Sequence, residues 1–187
     1  MSETPTFGRF TEIAYDKMSP EQQAAYKDMM ASRGGLPGPN KILVHNPKLA
    51  NVIGPYGAYH QTGGGNSISE REREIAVCII TSHWRSAYPT SAHERIGKKA
   101  GLPAAKVDAM IGGLPTSFDD EREQVVYEMA VVLSSARWVS RGLHERAVKV
   151  LGHVGITDVI TLMGHYSTVA MTLAFYDVPD GATGMAR

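Results

Sequence analysis

Two side chains stand out for chemistry, a carboxylate and an imidazole on consecutive helical segments. Glu74 opens the otherwise apolar run Ile75-Ala76-Val77-Cys78-Ile79-Ile80, and His93 follows on the next segment. An ionisable group in such a run is costly to bury without a partner, and His93 is the evident one. A buried Glu–His pair can hold one proton between two groups, which suits general acid–base chemistry. The bend between them, His83-Trp84-Arg85-Ser86-Ala87-Tyr88-Pro89, supplies candidate substrate contacts. Ser86 and Tyr88 offer hydroxyls. Arg85 offers a fork suited to a carboxylate, and the alternative for it is a salt bridge between subunits. Trp84 is a candidate pocket wall and His83 a further polar contact. His165, in a nearly apolar final helix beside Tyr166, either lines the same cavity or is a satisfied core histidine.

Other chemistries find less support. The seven histidines form no His-x-x-x-His, His-x-His or His/Cys pair of the kind that marks a metal site, so neither a metal nor a cofactor is expected. No Gly-x-Ser-x-Gly elbow surrounds Ser86, which leaves it a ligand-contacting hydroxyl rather than a nucleophile. Gly63-Gly64-Gly65 lacks the following Lys-Ser/Thr of a phosphate loop and reads as a connector. The single cysteine, Cys78, excludes a dithiol within one chain. Its apolar helical setting predicts a core residue with a raised thiol pKa.

The segment from Glu74 to Leu102 resembles the carboxymuconolactone decarboxylase / alkylhydroperoxidase-D superfamily. The peroxidase branch of that superfamily carries a Glu, then Cys-x-x-Cys-x-x-x-His, then a short helix ending in Ala-Gly-Leu. Here Glu74 and His93 stand at the Glu and His positions, and Ala100-Gly101-Leu102 closes the helix. Ser86 and Pro89 stand where the two cysteines would be. The likeness extends to Arg33-Gly34-Gly35-Leu36-Pro37-Gly38-Pro39, to His45-Asn46-Pro47 and to Val169-Ala170-Met171-Thr172-Leu173, covering roughly Phe10 to Pro179. In the decarboxylase branch an acidic residue lies a few positions before the His; here Pro89 occupies that place. The resemblance implies an AhpD-like all-α fold assembled as a trimer or hexamer, with a dimer as the alternative. It implies a cofactor-free, lyase-like enzyme acting on a small carboxylated or lactone-like metabolite, with His93 as acid/base and Glu74 orienting it. The rivals are a peroxidase-related oxidoreductase with an altered centre, and a ligand-binding or assembly protein that has kept the fold without the activity.

The elements that must position these residues are helices. Ser19-Pro20-Glu21-Gln22 and Ser69-Glu70-Arg71-Glu72 are capping boxes. Helices are predicted from Ser19 to about Ser32, over Lys41–His45, and from Asn46 with Pro55 as a kink or an interruption. Others run from Ser69 through the apolar stretch, through His93 to Gly101, from Pro103 to Gly112-Gly113 and over Asp120–Ala136. Two more are predicted, one from Ser140 to about Gly152 and one over Asp158–Phe175 capped by Thr157. Glu70, Glu72 and Arg73 read as a solvated first turn. No segment alternates with a period of two, so the fold is all-α, a bundle of seven or eight helices.

A length of 187 residues suits one domain. The expected layout is an extended N-terminal arm over residues 1–18, a helical domain over 19–179 and a loose tail over 180–187. Lys+Arg and Asp+Glu number 19 each, with no basic stripe, so no nucleic-acid partner is expected. No run approaches about 18 consecutive apolar residues and no signal core opens the chain, so the expectation is a cytoplasmic protein with no membrane partner. The final helix is apolar around most of its circumference, which predicts that another copy of the chain covers part of it.

Overall fold

The computed structural model describes residues 4–185 apart from residues 34, 37, 62 and 136. At its centre is the helix that carries Glu74. Among the described residues eight α-helices run in the order α1 (Pro20–Arg33), α2 (Asn40–Leu43), α3 (Pro47–Tyr59), α4 (Glu70–His83), α5 (Ala87–Lys99), α6 (Ala104–Ile111), α7 (Glu121–Ser134) and α8 (Arg141–Phe175). No strand is present among the described residues. Helix α4 packs against α5, α6, α7 and α8. Ile75, Ala76, Val77 and Cys78 are all fully enclosed, so this helix is apolar all round because it is surrounded. Burying a Val or Ile side chain contributes about 1.5–3 kcal/mol, and Val107, Val125, Val126, Val159 and Leu162 join α4 in the same core.

The local signals act as their chemistry requires. Ser69 accepts from the Glu72 amide while Glu72 accepts from the Ser69 amide at 2.7 Å, closing a capping box on α4. Asp120 caps α7 through the amides of Arg122 and Glu123. Gly101 at φ +89° ends α5, and the Leu102 amide returns to the Gly97 carbonyl.

Three expectations are corrected. Pro55 lies inside α3 without ending it; its missing amide orphans only the carbonyl of Asn51, an exposed residue. Thr157 is no cap. Its hydroxyl bonds back to the His153 and Val154 carbonyls within α8, and the break in that helix is instead Gly152 at φ +65°. Glu72 and Arg73 are not solvated. Glu72 is buried under Arg122, whose Nε lies 2.7 Å from it, and Arg73 is folded against Glu74.

The described parts of the arm and the tail are tied to the domain. Phe7 and Phe10 are buried in the main core, and Phe10 meets Tyr176 edge-on. Gly8, at φ +61°, lies so close to the Tyr176 carbonyl that a side chain there would clash. Glu12 is buried and receives Lys41 Nζ at 3.0 Å and the Met185 amide at 2.6 Å. The physical reason is two aromatic anchors and one buried ion pair, which offset the ordering of segments that have no helical period.

Candidate active site

Glu74 is fully buried, and each of its oxygens has a donor. His93 Nδ1 lies 2.7 Å from Oε2, and Arg73 Nε donates to Oε1 at 2.9 Å. The result is a three-residue chain, Arg73–Glu74–His93, joining α4 to α5. The Cys78 thiol donates to the His93 backbone carbonyl at 3.6 Å, tying the same turn of α5 to α4 a second time. With Nδ1 committed to Glu74, Nε2 is the ring nitrogen left for a substrate.

His93 forms part of the wall of a cavity of about 250 Å³ enclosed by α5, α8, α3 and the turn before α2. From α5 come Tyr88, Pro89, Ala92, His93 and Ile96, the spacing of one helical face. Helix α8 adds His165, Tyr166, Val169 and Leu173. Thr168 and Thr172 also line it, but their hydroxyls are bonded to the carbonyls of Gly164 and Thr168. Asn40, Gln61, Leu43 and Ile53 complete the wall. The Tyr88 ring is held from behind by Phe7, edge-on at 5.6 Å, and by Gly38, where a β-carbon would come within 3.2 Å of the ring. No Lys, Arg, Asp or Glu lines the cavity among the described residues.

The sequence-predicted residues therefore divide. Glu74, His93, Tyr88 and His165 meet at one place. His83 and Arg85 instead line a separate open cleft of about 780 Å³ between α4, α6 and α7, together with Arg137. Arg85 takes a left-handed backbone, φ +51°, in the turn between α4 and α5. Trp84 lies outside the cavity wall, half exposed, edge-on to His83 at 5.5 Å. Ser86 is buried at the start of α5, outside the cavity wall, and its hydroxyl makes no cap. Sequence reasoning missed Arg73, Asn40, Gln61 and Tyr166 as members of the site. Only Tyr166, next to His165 on an otherwise apolar helix, left a signal in the sequence. Burial, then the nearby Glu74, push the Cys78 thiol up to about 12. Among the described residues no group of three or more His, Cys, Asp or Glu is placed to hold a metal ion.

This architecture has solved counterparts. The chain shares its fold with the debrominase Bmp8. The apo form of that enzyme superposes with a TM-score of 0.67 at 17% identity, over 87% of each chain. A cysteine-to-alanine variant of it, in complex with 2,3,4-tribromopyrrole, superposes with a TM-score of 0.68 at 16% identity, over 94% of this chain and 91% of that one. The likeness is one of fold, and it agrees with the helical bundle that the sequence motifs imply. No family model and no curated protein matches the sequence.

Proposed function

We propose that this protein is an acid–base enzyme acting on a small oxygenated, lactone-like molecule, with decarboxylase-type proton transfer as its chemistry. The observation that carries the reading is the buried Arg73–Glu74–His93 chain ending on a cavity of about 250 Å³. Glu74 fixes the ring and its tautomer, so that Nε2 gives or takes the proton. In decarboxylation, the bond to the departing carboxyl group breaks and CO₂ leaves. The electron pair moves to the neighbouring carbonyl, and His93, protonated from water beforehand, delivers a proton to carbon. In the neutral variant of the same step a C–H bond breaks, His93 takes the proton, and the pair again rests on the carbonyl oxygen. Tyr88, Asn40 and Gln61 supply wall hydrogen bonds for that oxygen.

Two features refine the substrate class. Arg85 is absent from the cavity wall, and no other cation lines it among the described residues. A substrate carboxylate would therefore enter with no Lys or Arg opposite it, a setting that favours its loss as CO₂ over its retention. The fold neighbour was captured with a single five-membered ring, and a cavity of this volume suits a ring of that size. A thiol-dependent reaction fits poorly, because the only cysteine is buried behind His93 rather than facing the cavity.

The test is a panel of small lactones and β-keto acids assayed for CO₂ release and for solvent deuterium entering carbon next to a carbonyl. Wild type should turn over at least one class, and His93→Ala should lower the rate by ~10²–10⁴-fold. A loss below about threefold, well short of the acid–base range, would reassign His93 to a structural role.

A further inference from the structure

The cavity has a second imidazole. His165 lines it from α8, and its ring meets the Tyr166 ring edge-on at 5.3 Å. His93 meets the same Tyr166 ring edge-on at 4.8 Å. The two imidazoles thus flank one tyrosine on the wall of one small space.

They are backed by different surroundings. Behind His93 stands the Glu74 carboxyl group. Behind His165 stands His60, stacked on it with centroids 5.8 Å apart and planes 26° apart. His60 is fully buried, and neither of its ring nitrogens has a hydrogen-bond partner among the described residues. Tyr56 and Tyr59 close over it edge-on at 4.9 and 5.2 Å. The nearby acid, Asp158, is taken up by the Tyr59 hydroxyl at 2.6 Å and by the Ser67 amide and hydroxyl, both at 2.7 Å. Burial holds His60 below the usual histidine range, so it presents a neutral ring to His165. One cavity imidazole is therefore backed by a carboxyl group and the other is stacked on a second, buried imidazole. Paired titratable groups in contrasting surroundings are the arrangement that divides acid and base roles.

We infer that His165 is a second proton-transfer group, so that the site moves a proton from one atom of its substrate to another, a tautomerisation or double-bond shift. This rests on the acid–base reading of His93. In the step, His93 takes a proton from carbon next to a carbonyl. The freed electron pair passes along the conjugated path, and the double bond moves. His165, which enters the step with both ring nitrogens protonated, then delivers a proton to the far carbon and becomes neutral. Exchange of both rings with water restores the starting state, so protons balance and no oxidant or reductant is needed.

The probe is 5-methyl-2(3H)-furanone, a five-membered lactone whose double bond lies out of conjugation, followed by NMR in D₂O. Two events are read separately: deuterium entry next to the carbonyl, and movement of the double bond into conjugation. Wild type should show both, and His93→Ala should lose both. His165→Asn and His165→Phe should lower the ratio of bond movement to deuterium entry by about tenfold or more, a cautious fraction of an acid–base contribution. Circular dichroism selects the folded variant to be read. An unchanged ratio in a folded His165 variant overturns the inference, as does wild-type exchange without bond movement; in both cases the role of His93 stands. Wild type doing neither, or exchange that survives His93→Ala, overturns the acid–base reading and the inference with it.

Discussion

Arg73 donates to Oε1 of Glu74, its immediate neighbour in the chain, at 2.9 Å while His93 holds Oε2 at 2.7 Å. Neighbours on a helix diverge by about 100°, so this contact requires the arginine to fold along its own helix. It does so because both side chains are buried and neither has water to turn to. Removing the arginine should therefore be felt in the fold before the chemistry. Arg73→Met is expected to destabilise the protein by about 3–5 kcal/mol, the range for a buried pair that loses one partner. Urea unfolding measures it. A loss under about 1 kcal/mol, the size of an exposed pair, would mean that Glu74 is served well enough by His93 alone.

Cys78 should be inert in the folded protein. With its thiol pushed up to about 12, the thiolate is scarce at neutral pH. Labelling by iodoacetamide at pH 8 should be slow in the native state and fast in denaturant. Hydroperoxide consumption with a dithiol reductant should be negligible in wild type and unchanged in Cys78→Ala. Brisk native-state labelling would place the thiol in a surface setting that the structure lacks.

His60 gives the stability a pH dependence of definite sign. Burial lowers its pKa from the ordinary 6.5, against an opposing pull from Asp158. The groups facing it are Tyr56 and Tyr59 on α3 and His165 and Asp158 on α8. Below about 6.5 the unfolded chain binds the proton first, so this contribution is complete above that pH and is lost as pH falls toward the folded-state value. Thermal melts at pH 7.5 and 5.5 should differ less in His60→Phe than in wild type. An equal or greater difference in the variant would mean that another group titrates there.

The protein should form a homo-oligomer. Ile160, Met171 and Phe175 lie on one exposed side of α8, Phe175 with 76% of its surface open. Leu49, Val52, Tyr56 and Tyr59 form an exposed stripe at helical spacing on α3. The two helices adjoin, since the Tyr56 hydroxyl bonds the Thr161 carbonyl at 2.8 Å. Apolar area of this extent is usually covered in soluble proteins, most often by closed symmetric association. Light scattering at micromolar concentration checks it, with a trimer or hexamer expected and a dimer as the alternative. A monomer would refute it.

The sequence made the helices legible because their boundaries are local chemistry. Ser69, Asp120, Ser140 and Gly101 act within a turn of where they stand. It also made Glu74 and His93 legible, since a carboxylate in an apolar run calls for a partner. What it hid depends on direction. Arg85, Trp84 and Ser86 lie near His93 in the chain, yet none of them lines its cavity, and Arg85 lines another cleft with His83. Arg73 looked solvated because it stands in a polar first turn, and its burial is decided by α4 being surrounded. Asn40 and Gln61 reach the cavity only through the packing of α2 and α3, which no local pattern encodes.

Glu12 binds the Met185 amide, a contact between residues 173 positions apart in the chain. On a ribosome, residues 7–12 therefore emerge well before the partners they bind. Phe10 waits for Tyr176, and the Arg9 amide waits for the Tyr176 carbonyl. Contacts of such long sequence separation form slowly and leave apolar surface uncovered meanwhile. Nascent chains stalled before residue 176 should therefore be cut by protease within residues 4–14, and full-length released chains should resist. Protection of that segment in the stalled chains would show that the arm docks before α8 is complete. If it does not dock until then, the wall behind Tyr88 is built only once α8 has joined the bundle.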